Sequence, residues 1–421
     1  MYNQYINILR EELVTAQGCT EPIAVAFCAA KATKVLGKTP EKIVVSVSGN
    51  IIKNVKSVIV PNTNGLKGIE VASIFGAIVG KPEKELEVLA DVSDEDRIKA
   101  SKYINKEDYC CVEHLRTNAK LHMIVKVFAE GEYALVEIIN QHTNIIKIEK
   151  NNKIIFEDLQ NVNNINDGLT DRRCLNVADI IEFANNVEIE KIIDIIERQI
   201  DYNTKISDEG LRNKYGANIG KMLIEAYGED IRVVAKARAA AGSDARMSGC
   251  VLPVVINSGS GNQGMTVSLP VIAYAQYIGA SKEELIRALA LSNLIAIHQK
   301  TKVGRLSAYC GAVSAATGSG AGIAWLDGAD EEVINKTIIN TLANVSGILC
   351  DGAKPSCAAK IASAVDAAFM GYELAKKEMV FLSGDGIVKD NVEKTIISVG
   401  EIASKGMATT DEEIINIMIT N

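Results

Sequence analysis

Three cysteines in the last third of the chain stand where their thiols could share a metal centre. Cys310 opens a Gly-Ala-rich segment, and Cys350 and Cys357 flank the short segment Asp351 to Ser356. Thiolates are the ligands that soft metals and iron–sulfur clusters prefer, and a helix N-terminus lowers the pKa of a thiol. Three such ligands fill three corners of an iron–sulfur cube and leave one iron open to a substrate. The pattern therefore predicts an enzyme rather than an electron carrier.

Two other interpretations of these cysteines stay open at this point. Free cysteine is among the most buried residue types, so each of the three could be a small core residue. A zinc site is the metal alternative, but zinc usually recruits histidine or closely spaced cysteine pairs. The chain has no C-x-x-C pair, and its four histidines show no metal-ligand spacing.

A Gly-Ser loop, Asn257 to Gly264, is the second candidate site. It follows the apolar run Val251 to Ile256 and precedes a predicted helix. Backbone amides in such a loop, beside a helix N-terminus, form a nest for an anion. No lysine follows the loop, as a phosphate loop would require, so a carboxylate is the expected guest. The alternative is a purely structural Gly-Ser connection between buried segments.

A fourth cysteine, Cys19, stands far upstream in the Gly-Cys-Thr-Glu-Pro element at Gly18 to Pro22. Thr20 could cap a helix that begins at Pro22, which explains the threonine and the proline but not the cysteine. A thiol near that helix N-terminus is expected to be partly ionised. Among the histidines, His298 lies just upstream of Cys310 and is the best acid–base candidate, although a structural histidine is the commoner case.

The bulk composition favours a small-molecule partner. The 421 residues suggest two or three domains, and 48% of them are hydrophobic. No apolar run is long enough to span a bilayer, so no membrane role is expected. The formal net charge of −8 and the 5% aromatic content disfavour nucleic acid. Nine cysteines without a signal-peptide pattern at the N-terminus predict a reducing, cytoplasmic location.

The hydrophobic periodicity predicts an α+β fold. Helices are expected over 2–36, interrupted by Gly18 to Pro22, and throughout the region after Asp171. Strands are expected at 43–48, 57–60, 121–129, 134–140, 144–150 and 153–156. The predicted domains are an N-terminal helical segment over 1–40 that packs on the catalytic domain, an α/β domain with an antiparallel sheet over 41–160 (the sheet at about 43–156), and an all-α catalytic domain over 168–421. A linker is predicted at 161–167.

The chain resembles the iron–sulfur L-cysteine desulfidase family, relatives of the iron–sulfur L-serine dehydratases and similar to their alpha subunits. The matching motifs, which span nearly the whole chain, are Gly18 to Pro22, Asn64 to Gly68, Ser248 to Gly264, Tyr309 to Ala312, and Leu349 to Lys354 with Cys357. The serine dehydratases lack the first of these motifs, so it favours the desulfidase branch. The spacing from Cys350 to Cys357 is also shorter here than in the dehydratases.

The resemblance implies a [4Fe–4S] cluster on Cys310, Cys350 and Cys357 and the conversion of L-cysteine and water into sulfide, ammonia and pyruvate. Cys19 is then the expected base for the α-proton, or else a fourth ligand that substrate displaces. The residues expected to hold the carboxylate and amine are Ser258, Gly259, Ser260, Asn262 and Gln263. The cysteines expected to lie outside the cavity are Cys28, Cys110, Cys111, Cys174 and Cys250.

Two rival functions remain open beside the desulfidase. One is the elimination of water from L-serine on the same fold, and the other is a binding or regulatory protein without a cluster. A pyridoxal-phosphate lyase is disfavoured because no lysine stands in a Schiff-base context, and Lys354 is expected to be structural or a substrate contact. We expect a homodimer.

Overall fold

The computed structural model of this chain describes residues 2–158, 169–304 and 306–420. The linker predicted at 161–167 lies outside these ranges. Within them the fold is a mixed α+β arrangement with a large helical part, which confirms the predicted fold class. In the ranges described, no helix is both long enough and apolar enough to cross a membrane.

The first part of the chain builds a sheet with helices against it. Its helices are α1 (Tyr2–Glu12), α2 (Thr20–Leu36), α3 (Gly49–Val55), α4 (Ile69–Val79) and α5 (Asp94–Ile104), and its strands are β1 (Thr15–Gln17), β2 (Lys42–Val47), β3 (Cys110–His114), β4 (His122–Ala129), β5 (Glu132–Ile139), β6 (Ile145–Lys150) and β7 (Lys153–Glu157). Six of these strands form one sheet in the order β3-β2-β4-β5-β6-β7. Strand β4 alternates between buried and half-buried residues, as a strand with one covered face should.

Helix α2 covers that sheet. It contacts β4, β5 and α4, and residues 20–30 are buried without a break. A helix that is apolar all round must be enclosed by other elements, and the sheet and α4 enclose this one. By contrast, α1 and β1 contact elements of the later helical part, so the N-terminal 40 residues are shared between the two parts of the molecule.

Two features of the sheet differ from the sequence prediction. The strand expected at 57–60 is wrong, because the chain turns into α3 directly after β2, and only Ile59 then makes an isolated bridge, to Lys67. Strand β3 was not predicted; its sequence is Cys-Cys-Val-Glu-His, which lacks a clear apolar alternation. It runs parallel to β2, so the sheet is mixed instead of antiparallel. A parallel pair needs a long crossover connection, and the segment containing α3, α4 and α5 supplies it.

The second part of the chain is mainly helical, as predicted. Its helices are α6 (Val177–Asn186), α7 (Ile193–Arg212), α8 (Ile219–Tyr227), α9 (Ile231–Met247), α10 (Gly261–Ile278), α11 (Lys282–Val303), α12 (Gly311–Leu326), α13 (Glu331–Val345), α14 (Cys357–Ala375), α15 (Val392–Glu401) and α16 (Ala408–Thr420). No strand occurs in residues 270–304 or 306–420. One short strand, β8 (Pro253–Val255), precedes the Gly-Ser loop and pairs antiparallel with β1.

Helices α2 and α4 approach each other closely at Gly76. A Cβ atom at this position would overlap the carbonyl oxygen of Ala26, so only glycine allows the observed spacing between the two helices. Because backbone rather than a flexible side chain occupies the space, the neighbour cannot move aside without separating the helices. The contact therefore fixes α4 against α2 and, through α2, against the sheet.

Replacing Gly76 with Ala should lower the free energy of unfolding by about 1–3 kcal/mol, the usual effect of overpacking a core. Gly347 is the matched control, since it lies in an exposed turn and a Cβ there would meet no atom within 4 Å. Urea unfolding of both variants measures the difference. Equal unfolding midpoints for Gly76→Ala and Gly347→Ala would show that α2 and α4 can separate freely.

Candidate active site

The pairing of β1 with β8 brings the Gly18 to Pro22 element beside the Gly-Ser loop. Thr15 lies opposite Val255, and the Thr20 hydroxyl donates a hydrogen bond to the carbonyl oxygen of Gly259 at 2.9 Å. Gly18 has a φ of +63°, and a side chain there would overlap the ring of Pro61. The glycine thus allows the tight turn that places Cys19 directly before α2.

The Gly-Ser loop is a compact turn closed on itself. Backbone N–H groups of Asn257 and Ser260 each donate to the carbonyl of the other residue, and Ser258 and Gly259 between them have positive φ. Ser260 caps α10 by accepting a hydrogen bond from the backbone of Gln263. The loop therefore presents its backbone at the N-terminus of α10, where the aligned amides favour negative charge.

The pairing of two segments brings two of the predicted ligand cysteines, Cys310 and Cys350, near each other. An isolated antiparallel bridge joins Tyr309 to Leu349, and the Cys350 N–H donates to the carbonyl of Ala308 at 2.6 Å. This pairing sets Cys310 and Cys350 on neighbouring segments. Cys357 is the first residue of α14, and its sulfur accepts a 3.4 Å hydrogen bond from the N–H of Lys354.

Most of the residues predicted to form the site line one cavity. Its wall includes Cys19, Cys350, Cys357, Ser258, Gly259, Ser260, Asn262 and Gln263. Cys310 is buried at the N-cap of α12, directly before Gly311, which lines the cavity. The wall contains none of the five cysteines expected to lie elsewhere, namely Cys28, Cys110, Cys111, Cys174 and Cys250. Lys354 is not among the lining residues either, although its neighbour Ala353 is.

His298 does not reach this cavity, which contradicts its interpretation as an acid–base residue. It is buried on α11, and its Nε2 lies 2.8 Å from Glu393 Oε2 on α15. Glu393 also accepts a 2.7 Å hydrogen bond from the N–H of Val177 at the start of α6. Together these contacts make His298 part of a link between three helices, which is a structural role.

Burial and the neighbouring thiols affect the pKa values of Cys310 and Cys357. Burial raises the pKa of Cys310 to about 12, and the neighbouring Cys350 and Cys357 add to the increase. Burial also raises the pKa of Cys357, while the hydrogen bond from the N–H of Lys354 and the positive charge of Lys360 oppose the rise. The lowering expected from helix N-termini is therefore wrong for Cys310 and Cys357. A bound metal reverses this situation, because it stabilises the thiolates directly.

Cys19 is the centre of a buried hydrogen-bond network. It is 2% exposed, and its thiol lies 3.2 Å from Glu21 Oε2, which also accepts from the Thr20 hydroxyl. The other oxygen of Glu21 accepts a 3.1 Å hydrogen bond from the amide of Asn54 and lies 3.8 Å from Nε2 of His142. All of these side chains except Thr20 are part of the cavity wall.

This network sets the protonation of its two acidic members. Burial would raise the pKa of Glu21, but hydrogen bonding and charge from His142, together with the Cys19 hydrogen bond, outweigh it and hold the value at about 2. Burial and then the Glu21 carboxylate raise the pKa of Cys19 well above its usual value, although Arg246 opposes them. The expectation that the helix N-terminus ionises Cys19 is therefore wrong for this state, in which the thiol keeps its proton.

Several cavity residues were not predicted from the sequence, namely Glu21, Lys53, Asn54, His142 and Arg246. Glu21 stands inside the Gly-Cys-Thr-Glu-Pro element, and its position two residues after Cys19 was a signal that could have been used. Lys53 and Asn54 lie near the end of the short helix α3, and Arg246 lies in the last turn of the long helix α9. Nothing in their local sequence indicates a site, because only the tertiary fold brings them together.

Comparison with known proteins gives a single family. The model of the serine dehydratase alpha chain family matches residues 83–416. A UPF0597 protein of Lachnoclostridium phytofermentans is 56% identical over 100% of both chains. UPF0597 proteins of Desulfitobacterium hafniense and Treponema denticola are 52% and 50% identical, over 99% of this chain and 97% and 98% of theirs. The chain belongs to the serine dehydratase alpha chain family, and the family supports a lyase-type function.

Replacing Glu21 with Gln removes the carboxylate charge that raises the pKa of Cys19. We expect that pKa to fall, because a close like charge disfavours the thiolate and has been removed. The measurement is the pH dependence of methylthiolation at Cys19, followed by peptide mass spectrometry. Cys28, which is buried under the sheet, is the internal control and should react as in wild type. An unchanged midpoint for Cys19 would contradict the assigned influence of Glu21.

Proposed function

We propose that this protein is an L-cysteine desulfidase, which converts L-cysteine and water into sulfide, ammonia and pyruvate. The observation that carries the proposal is the presence of the Cys19 thiol in the same cavity as Cys350, Cys357 and the Gly-Ser loop. A β-elimination from an amino acid needs a group that takes the α-proton, a site for the leaving sulfur and a site for the carboxylate. The cavity offers candidates for all three.

The donor set is of the kind that an iron–sulfur cluster takes, since thiolates are the usual ligands of such clusters. Cys350 and Cys357 line the cavity, and Cys310 directly precedes Gly311, which also lines it. Burial raises the pKa of Cys310, and the neighbouring Cys350 and Cys357 add to the increase, as expected of nearby sulfurs. When bound by Cys310, Cys350 and Cys357, a [4Fe–4S] cluster would supply an open iron as a Lewis acid for the departing sulfur.

The chain's own residues bind the substrate and move its protons. The backbone amides of the Gly-Ser loop and the start of α10 would hold the carboxylate, and the side chains of Ser258, Ser260, Asn262 and Gln263 would orient the carboxylate and amine. Gln263 Oε1 is buried without a hydrogen-bond partner in the described structure, so it can accept from the substrate ammonium.

Cys19 is the proposed base, and it would act as a thiolate, with its thiol proton lost to solvent. Glu21 Oε2 lies 3.2 Å from the thiol and would orient the Cys19 side chain; because the pKa of Glu21 is held at about 2, this carboxylate does not keep the proton. The thiolate then removes the α-proton, the electron pair of the Cα–H bond forms the Cα–Cβ double bond, and the Cβ–S bond breaks. The resulting 2-aminoacrylate tautomerises and hydrolyses to pyruvate and ammonia, so no oxidant or reductant is needed.

Elimination of water from L-serine is the second candidate, and membership of the serine dehydratase alpha chain family favours it. The two reactions differ at the leaving group, since a hydroxyl must receive a proton as it departs whereas sulfur can leave as a thiolate without one. A competition assay with both amino acids, with sulfide and pyruvate measured separately, decides between them. Pyruvate without sulfide at equal substrate concentrations would make the protein a serine dehydratase.

Replacing Cys310, Cys350 or Cys357 with Ala should remove a cluster ligand. Iron content and visible absorbance of anaerobically prepared protein should fall together with the rate of sulfide release. Cys28→Ala is the matched control, because Cys28 is a buried cysteine outside the cavity. If a variant at one of the three positions keeps full iron content, that residue is not a ligand.

Replacing Cys19 with Ala should leave iron content near the wild-type level and lower the rate of sulfide release by about 10²–10⁴-fold, as expected for loss of a general base. Solvent exchange of the substrate α-proton, followed by proton NMR, should be lost to the same extent. Loss of iron in this variant would instead make Cys19 a fourth ligand that substrate displaces.

The cytoplasmic location and the homodimeric state stay predictions from the sequence.

A further inference from the structure

Two arginines are buried in the described ranges, and their surroundings differ. Arg172 forms ion pairs with Glu11 and Glu12, so its charge is balanced inside the protein. Arg246 is 3% exposed, and among the described residues its guanidinium donates to a neutral group, the side-chain amide oxygen of Asn262, at 3.2 Å. Its Nε has no hydrogen-bond partner in the described structure. A buried charge without a counter-ion is strongly unfavourable, so the site of Arg246 is incomplete as it stands.

The position of Arg246 adds to this imbalance. It lies in the last turn of α9 and in the cavity wall, where its guanidinium packs so tightly on Gly261 that a Cβ on that glycine would overlap Nε. Gly261 is the first residue of α10, and a helix N-terminus carries partial positive charge. The guanidinium and the N-terminus of α10 are therefore two positive groups side by side, and one anion can bind both.

Glu21 supplies a carboxylate in the cavity wall, but its oxygens already accept hydrogen bonds. Glu21 accepts hydrogen bonds from Asn54, Thr20 and Cys19, and no ion pair joins it to Arg246. Asp244, two residues before Arg246, faces away and accepts a hydrogen bond from the N–H of Gly220 on α8. The described carboxylates therefore leave the guanidinium of Arg246 available to an anion from solution.

We propose that Arg246 binds the α-carboxylate of the amino-acid substrate and so determines that the enzyme accepts only substrates with a free carboxylate. This inference rests on the proposed function, which places an amino acid in the same cavity. The guanidinium fork matches the two oxygens of a carboxylate, and the amides at the start of α10 can bind the same group from the other side. Amides, esters and decarboxylated amines, which lack the charge, would be rejected.

The experiment measures binding rather than turnover, by titration calorimetry of the anaerobically prepared protein with L-alanine and with L-alaninamide. L-Alanine carries the same carboxylate and amine as the proposed substrate but has no leaving group at Cβ. Wild type should bind L-alanine about 10²-fold more tightly than the amide, the range expected for charge-assisted hydrogen bonds. In Arg246→Gln, L-alanine should bind about 10²-fold more weakly, while binding of the amide should be unchanged.

Two further variants keep the result interpretable. Arg172→Gln also removes a buried arginine, but one that is already paired with carboxylates, and it should bind L-alanine as wild type does. Arg246→Lys keeps the charge and loses the fork, so it should bind L-alanine about 10-fold more weakly than wild type; it decides the question if Arg246→Gln does not fold. Wild-type affinity for L-alanine in either variant at position 246, or equal binding of the acid and the amide by wild type, would overturn the assignment. So would the absence of saturable L-alanine binding.

These outcomes are separate from the fate of the proposed function. A wild-type protein that discriminates between acid and amide but releases no sulfide from L-cysteine keeps the carboxylate site and loses the desulfidase assignment. If the protein releases sulfide but Arg246→Gln does not change L-alanine binding, the desulfidase assignment stands and the carboxylate site at Arg246 is wrong. The guanidinium would then balance the charge of a Cys19 thiolate.

Discussion

The site depends on a short antiparallel pairing between segments that are far apart in sequence. Strands β1 and β8 have three residues each, yet they join the N-terminal segment to the helical part directly beside the Gly-Ser loop. The hydrogen bond from Thr20 to Gly259 adds a separate contact between the same two segments. Without this pairing, Cys19 would have no defined position relative to Cys350 and Cys357. The cavity therefore exists only when both parts of the chain are folded together.

Buried charge is the second constraint on this cavity. Lys53 and Asp411 form an ion pair at 2.5 Å in which both side chains are 1% exposed, and Lys53 also donates to the carbonyl oxygen of Cys350. Asp411 lies on α16, so the pair ties the C-terminal helix to the segment that carries Cys350. Because breaking a buried pair typically costs about 3–5 kcal/mol, this link should hold the Cys350 segment firmly against α3. Arg246 differs from Lys53 in this respect, because it is buried without an ion-pair partner among the described residues.

The sequence predicts the parts of this molecule that depend on local pattern. The four antiparallel strands from 121 to 157, the helical second part and the membership of the family follow from periodicity and motifs, and the structure and the comparisons agree with them. The failures have a common cause. The strand expected at 57–60 and the role expected of His298 were both inferred from local sequence, but tertiary contacts determine them. The ionisation expected for Cys19 failed because burial and Glu21 outweigh the helix terminus, and no local pattern shows how deeply a residue is buried.

The central claim is that three cysteines leave one site of a cluster open to the substrate, and Mössbauer spectroscopy of protein reconstituted anaerobically with ⁵⁷Fe tests it most directly. The account predicts that about one quarter of the cluster iron changes its signal when L-cysteine is added, since only the iron without a cysteine ligand can bind substrate. The remaining iron should keep its signal. A protein that binds no cluster, or a cluster whose iron atoms all remain unchanged by L-cysteine, would contradict the account.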